Sequence, residues 1–423
     1  MTEMKQNAMT EMMMMKEKPT HFMESKIITI EWNGQEVQAV EGQFVYRVRT
    51  EGGFSIDRAR RALRGNASIL RGTGAVDDRG VGVLFAAPDL LSREHGATLM
   101  EKDPAIEWME PVMLDHGCLD PNDPGYSQQW GLKTVGAPDG WDLAKVNGKV
   151  VVPVLDSGAP LKGSALDHEE LNGAQFIIGL NVLSSSSPAL DDNGHGTHVA
   201  GIVGAWRGNG IGVAGLWNGA VYIVKLFDKN KYGTQISFND GVREAVSFAQ
   251  SIDARLVINY SGGGPDNGAK RVAIERVVDA GALLVAAVGN ERSESVLYPA
   301  AYAAADEHVI AVASAGKDLR HSVFSNRGHS VTVAAPGEDV LSTTPDYRVT
   351  LTDEGLSQTY GKLSGTSQAT PFVSAIAAMV WAKWPDLTAE KVRQRIENTA
   401  TAVVGGARED FGAGIVNASR ALT

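Results

Sequence analysis

Gly365-Thr366-Ser367-Gln368-Ala369-Thr370-Pro371 runs directly into Phe372-Val373-Ser374-Ala375-Ile376-Ala377-Ala378-Met379-Val380, and this junction decides how the chain must fold. The second half is apolar, rich in small residues and of helical length. It predicts a buried helix over 370–382. Ser367 is then expected on a loop at the helix N-terminus, where unpaired backbone N–H groups and the positive helix end face any negative charge that builds there. A serine so placed can act as a nucleophile. A Thr or Ser before an apolar run is equally an ordinary N-cap, and the stretch alone does not separate the two.

Upstream of this helix, strand and helix patterns alternate. Apolar strands are predicted at 149–155, 221–227, 255–260, 283–287, 309–313 and 331–335, and helices at 196–205, 238–251, 270–280 and 389–399. Strands that are almost wholly apolar, separated by helices, predict a mostly parallel sheet covered on both faces. In such α/β folds the chemistry sits at the carboxyl ends of the strands. One local rule is broken at Pro153, inside an expected central strand. Proline removes a ladder donor, so the reading requires either a bulge there or an N–H side without a partner.

Composition narrows the function classes. The 423 residues are 43% hydrophobic and 21% charged, typical of a globular protein large enough for a main core and a smaller unit. A net charge of −11 argues against a nucleic-acid partner. No apolar run reaches membrane-spanning length, so no membrane role is expected. The single cysteine, Cys118, forms no disulfide framework and lies in a turn-like acidic connector, where a bystander thiol is expected. Residues 1–26 are polar and Met-rich, lack the apolar core of a secretory signal, and are expected to be a disordered leader.

Residues 27–113 read differently from the rest. Strands at 27–43 (a short pair), 44–49, 67–70, 81–86 and 105–109, with helices at 55–63 and 88–102, follow the β-α-β-β-α-β order of a small ferredoxin-like α+β unit. Residues 114–125 are a Pro/Asp/Asn/Gly connector and mark a domain boundary, with the second domain at 126–423.

Three polar residues stand at ends of elements in the second domain: Asp156 after an apolar strand, His195 between glycines just before a helix, and Ser367. His195 and His198 are three apart and could be metal ligands, but no third ligand of suitable spacing accompanies them; His198 is expected to pack or hydrogen-bond within the helix. Val154-Leu155-Asp156-Ser157-Gly158, His195-Gly196-Thr197-His198-Val199-Ala200-Gly201 and Gly365-Thr366-Ser367 with Ala369-Thr370-Pro371, in that order, resemble the subtilisin-like serine protease (subtilase) family from about residue 122 to 421. The resemblance implies a three-layer subtilisin-like fold and a serine endopeptidase acting on extended polypeptides. Ser367 would be nucleophile, His195 general base and acid, Asp156 its orienting carboxylate, and Asn290 an oxyanion donor beside the Ser367 N–H.

It further implies a cleft in which Ser261, Gly262 and Gly263 pair with the substrate backbone, with Ala287, Val288 and Gly289 opposite and Tyr232 and Gly233 at the S4 rim. Leu297 stands where the family often has glycine, so a shortened S1 pocket is expected, favouring small or medium apolar P1 residues. Asp191 is expected near His195 as either a basic-P2 selector or a loop acid. Asp123, Glu170, Asn209, Ile211 and Val213 match a structural calcium loop, with Glu170 where the family has aspartate. The 27–113 unit resembles the family's propeptide, an intramolecular chaperone and inhibitor, which implies an autoprocessing zymogen cut between 113 and 119. Relatives with such a segment are mostly secreted; the sequence itself assigns no compartment. Two other classes fit the sequence less well: a catalytically silent binding protein on the same fold, disfavoured by the competent residues at all four positions, and an α/β-hydrolase, which would need Gly-x-Ser-x-Gly and the order Ser, Asp, His.

Overall fold

The computed structural model describes residues 120–423 apart from 145–148 and 172–174 and, nearer the N-terminus, the backbone of five strands. The chain divides into two compact units, Met1–Gly117 and Cys118–Thr423. The first contains β1 (Ile27–Trp32), β2 (Gln35–Val48), β3 (Leu70–Thr73), β4 (Val81–Ala86) and β5 (Ile106–Met113). They form one sheet in the order β1-β2-β4-β3, with β5 also on β2, and every pairing is antiparallel. The expected leader at 1–26, the helices at 55–63 and 88–102, and Cys118 lie outside the described residues.

The second unit is built on a seven-stranded sheet. Its strands are β6 (Val150–Asp156), β9 (Phe176–Asn181), β10 (Ala220–Lys225), β11 (Arg255–Tyr260), β12 (Leu283–Ala287), β13 (Val309–Ala315) and β14 (Val333–Pro336). Two small hairpins flank it, β7 (Leu161–Lys162) with β8 (Ala165–Leu166) and β15 (Val340–Thr343) with β16 (Tyr360–Leu363). The sheet order is β14-β13-β12-β11-β6-β10-β9 and every pairing is parallel.

Successive side chains of these buried strands feed two cores. Val152, Val154, Val285 and Val312 pack on one face, with α1 (His195–Gly204) and α4 (Thr366–Lys383). Val151, Leu155, Ile258 and Leu284 pack on the other, with α2 (Gln235–Ser251) and α3 (Gly268–Asp279). α5 (Ala389–Thr399) adds Val392 and Ile396 to the first core. This is the three-layer arrangement that near-continuous apolar strands require. β6 lies between β11 and β10, so the strand order reverses around it, and its last residue is Asp156. The carboxyl end of such a central strand is where α/β sheets open a crevice.

Pro153 takes the second of its two expected alternatives. It sits in β6 with no register shift: Arg255↔Val150, Leu256↔Val151 and Asn259↔Val154 keep one offset. The ladder to β11 lapses at Val152 and Pro153 and resumes at Val154, so the missing donor is absorbed as a gap, not a bulge. One expectation is corrected, the start of α4, which lies at Thr366 so that the helix carries Pro371 inside it. Ser367 therefore lies in the first helical turn and not on a preceding loop. Pro371 lacks the N–H that would bond the Ser367 carbonyl one turn back. The Ser261 hydroxyl takes over, donating to Ser367 O at 2.8 Å.

Candidate active site

Asp156 is fully buried at the end of β6. Its Oδ1 accepts from Ser157 N at 2.8 Å and lies 2.7 Å from His195 Nδ1. That contact fixes the imidazole tautomer with Nδ1–H toward the carboxylate and leaves Nε2 as the basic nitrogen. Among the described residues Nε2 has no hydrogen-bond partner. His195 opens α1, and the glycine after it is a geometric necessity. A Cβ on Gly196 would lie 2.6 Å from Gly158 O and 2.8 Å from Gly158 N. The helix start thus presses onto the 157–158 turn, which is what brings His195 to Asp156.

A buried carboxylate, Asp191, organises this turn. It accepts from Ser157 Oγ, Asn193 N, Gly194 N, Thr197 N and Thr197 Oγ1, at 2.6–3.1 Å. With both oxygens committed and no exposure, Asp191 is neither a P2 selector nor an exposed loop acid; it holds the N-terminus of α1. His198, one turn on, shares its Nε2–H between Val340 O (3.0 Å) and Gly361 O (3.2 Å), within bonding range of the β15–β16 hairpin. Burial pushes its pKa down to about 3, with the neighbouring His195 adding to the effect. It is a neutral structural histidine, and among the described residues no group of three His, Cys, Asp or Glu side chains is placed to hold a metal.

Ser367 enters the same crevice from α4. In this resting arrangement its hydroxyl donates to Ser261 O at 3.1 Å. A buried relay fixes the helix start: Ser374 Oγ donates to Asn259 Oδ1 (2.8 Å), Asn259 Nδ2 to Ser261 Oγ (3.2 Å), and Ser261 Oγ to Ser367 O. Asn290 stands beside it after β12. Its Oδ1 accepts from Thr366 N (2.8 Å) and Thr366 Oγ1 (2.9 Å). Both donors occupy the carbonyl side of the amide, and the Nδ2 hydrogens at the head of α4 have no partner among the described residues. Asn259 was not marked as a site residue by the sequence, Thr366 was marked only as part of the serine motif, and Asp191 was placed near His195 but with a different task. Only the polar interruption of an apolar strand at Asn259 offered a signal.

The expected cleft residues are placed as follows. Ser261 is buried at the end of β11, and Gly262 faces Phe227, which a Cβ there would approach to 2.6 Å. Ala287 and Val288 are buried at the end of β12, and Val288 O accepts from Leu297 N at 3.0 Å. The Leu297 side chain occupies the space between the two walls. A Cβ on Gly263 would lie 2.8 Å from Leu297 Cβ, and one on Gly289 2.9 Å from Leu297 Cδ1. Tyr232 is 74% exposed, and Gly233 packs on Phe227.

The expected calcium ligands gather around the 208–213 loop. Asp123 and Glu170 are both buried. Asp123 accepts from Gly208 N (2.8 Å) and Asn209 N (3.2 Å), and Glu170 from Val213 N (2.8 Å) and Asn209 Nδ2 (3.1 Å). Burial pushes the Glu170 pKa up to about 7, with the charge of Asp123 adding to the rise. Two desolvated carboxylates on one loop are a site that a divalent cation would relieve, and carboxylate, amide and carbonyl oxygens are the ligand types that suit calcium. The loop meets both acids with N–H groups, and Asn209 Oδ1 accepts from Ile211 N at 2.8 Å.

The Subtilase family model matches residues 147–414. The chain is 36% identical over 295 residues to a thermostable alkaline protease of Halalkalibacterium halodurans, covering 69% of this chain and 73% of that one. It is 33% identical over 304 residues to thermitase of Thermoactinomyces vulgaris, covering 71% and 99%, and 32% identical over 330 residues to subtilisin E of Bacillus subtilis, covering 78% of each. Among solved structures, a protease from Pseudoalteromonas arctica superimposes with a TM-score of 0.60 at 30% identity, covering 72% of this chain and 98% of that one.

Proposed function

The chain belongs to the subtilase family of serine proteases, and from that premise we propose that Asp156, His195 and Ser367 are its catalytic triad and Asn290 its oxyanion donor. The observation that carries the assignment is the 2.7 Å His195–Asp156 contact at the carboxyl end of the central strand, with Ser367 heading α4 in the same crevice. His195 Nε2 takes the Ser367 proton as Oγ attacks the scissile carbonyl, then returns it to the leaving amine. Asp156 keeps the ring in the right tautomer and stabilises the imidazolium. The tetrahedral oxyanion is met by the Ser367 backbone N–H and Asn290 Nδ2. At rest Ser367 Oγ donates to Ser261 O, and the reaction requires it to donate to Nε2 instead; catalytic hydrogen bonds often align only once substrate is bound.

Polypeptide is the substrate, held as an added strand along 261–263 with Tyr232 and Gly233 at the far rim. Residues 27–113 act as an inhibitory propeptide, 114–125 as the processing linker cut between 113 and 119, and 126–423 as the catalytic domain. Asp123, Glu170, Asn209 and the carbonyls of Ile211 and Val213 hold a structural calcium ion. One experiment tests the core of this reading. The wild type should react with a serine-directed fluorophosphonate and appear as a shortened chain by mass spectrometry. Ser367→Ala should do neither and accumulate at full length. Labelling that survives in Ser367→Ala refutes the nucleophile, and equal shortening in both refutes self-cleavage.

A further inference from the structure

The turn after β10 lies against the Asp156–His195 pair and presents a cation that makes no hydrogen bond or ion pair among the described residues. Leu226 N and Phe227 N donate to Asp156 O (2.8 and 3.1 Å), so the turn begins on the backbone of the triad aspartate. Asn193, two residues before His195, donates its side-chain amide to Lys229 O at 2.8 Å. The turn is closed by Lys231 N to Asp228 O (2.9 Å) and Asp228 N to Tyr232 O (3.0 Å). It is therefore bolted to the β6 end on one side and to the α1 start on the other. Its next residue, Tyr232, is the exposed rim of the cleft.

Lys231 sits in this turn at φ 63°, the left-handed region. A side chain held there costs about 1 kcal/mol that glycine avoids, and such outliers gather at functional sites. The side chain is half-buried, yet among the described residues its Nζ makes no hydrogen bond or ion pair. The two buried lysines differ: Lys225 Nζ donates to Ser157 O and Asp192 Oδ1, and Lys270 Nζ to Pro265 O and Tyr298 O. The neighbouring acids are already committed. Asp228 Oδ1 accepts from Asn230 N and Tyr232 N, Asp191 holds the start of α1, Asp192 pairs with Lys225, and Asp156 pairs with His195. Burial lowers the Lys231 pKa, and the charge of the Asp156 carboxylate opposes the shift. A desolvated cation without a partner is unfavourable until an anion reaches it.

We propose that Lys231 is a specificity-determining residue that selects an acidic side chain at P2 or P3 of the polypeptide, between the Asp156–His195 pair and the Tyr232 rim. This rests on the protease reading above. In such a complex the Lys231 ammonium pairs with the substrate carboxylate in a half-desolvated groove, where an ion pair is screened less than on an open surface.

The test uses active protein and quenched peptides that differ only by Glu, Gln or Lys at P2, P3 or P4. Wild type should cleave the Glu peptide at P2 or P3 at least fivefold faster than the Gln peptide in kcat/KM, with the Lys peptide slowest, and added salt should shrink the ratio. Lys231→Met and Lys231→Gly, the second compatible with the left-handed turn, should bring the Glu/Gln ratio within twofold of unity while leaving the Gln peptide nearly unchanged. A wild type indifferent to Glu, a preference confined to P4, or a ratio that survives in both variants overturns the proposal. Wild type that cleaves no peptide and takes up no fluorophosphonate overturns instead the protease reading on which it rests.

Discussion

At the scale of single residues, the site depends on how an amide is aimed. Thr366 N and Oγ1 both hold Asn290 Oδ1, so the donor face of that amide is set by the residue before the proposed nucleophile. Asn290→Ala should lower kcat about 10²–10³-fold, a magnitude established by removing the equivalent asparagine in subtilisin. Thr366→Val keeps the backbone bond but loses the hydroxyl's bond to Asn290 Oδ1 and the long one its oxygen accepts from Gly289 N at 3.3 Å; only the first aims the amide. One hydrogen bond is worth about 1 kcal/mol, and about 1.4 kcal/mol is tenfold in rate, so kcat should fall up to about tenfold with KM unchanged. A rise in KM with kcat intact would mean that Thr366 shapes binding instead. Leu297 supports a second prediction. Its side chain lies between Gly263 and Gly289, so peptides with Ala or Leu at P1 should be cleaved faster than those with Phe, and Leu297→Gly should reverse the order. A wild-type preference for P1 Phe above tenfold would show that Leu297 leaves the pocket floor open. Asp156, His195, Ser367 and Asn290 could be named as candidates because each stands at a junction of elements within a long motif. The tasks of Thr366, Asn259 and Asp191 could not be read. Each works through a neighbour that only the fold supplies: Thr366 holds Asn290, 76 positions away, and Asn259 holds Ser374, 115 away.

At the scale of elements, α1 carries a pH dependence. His198 Nε2–H points at two hairpin carbonyls, and its Nδ1 has no partner among the described residues. A proton on Nδ1 would be a buried donor with no acceptor. The folded pKa is depressed to about 3, while an unfolded histidine titrates near its ordinary value of 6.5. Between these values the unfolded chain binds one more proton, so stability falls as pH falls, by about 1.4 kcal/mol per unit below about 6.5. From pH 7.5 to pH 5 the His198 share of the loss is about 2 kcal/mol. Urea unfolding of Ser367→Ala, which avoids autolysis, should show this fall. His198→Gln in the same background should reduce it by about that amount; an identical fall in both would remove His198 as the cause. Element type was largely readable from apolar runs, since β6, β11, β12 and β13 are buried along almost their whole length. The start of α4 was not, because Pro371 reads locally as the first turn of a helix. Only the Ser261 hydroxyl, supplied from β11, lets the helix extend back past it. β9 escaped notice because its middle residues are only half-buried.

At the scale of the whole molecule, the 208–213 loop ties the start of the second unit to its body. Gly210 N donates to Asn122 Oδ1 (2.9 Å), Gly125 N donates to Gly212 O (2.6 Å), and Asp123 takes two loop amides. Glu170, far along the chain, grips the same loop from the other side. The charges bury well only if something offsets them: Asp123 raises the proton affinity of Glu170, and each protein N–H supplies part of a positive charge where a divalent ion would supply two whole ones. Calcium at this point would lock the segment that follows the proposed processing site. A ligand bound to the folded state alone, at about 100 times its Kd, adds about 2.7 kcal/mol. For a unit of this size that corresponds to a shift of several degrees in Tm. Chelator added to Ser367→Ala should therefore lower Tm by several degrees, excess calcium should restore it, and magnesium, which demands tighter octahedral geometry, should restore it poorly. Glu170→Gln should already melt low and respond little to either addition. A Tm indifferent to chelator would mean that the loop amides alone neutralise Asp123 and Glu170, and that the clasp closes on hydrogen bonds without an ion.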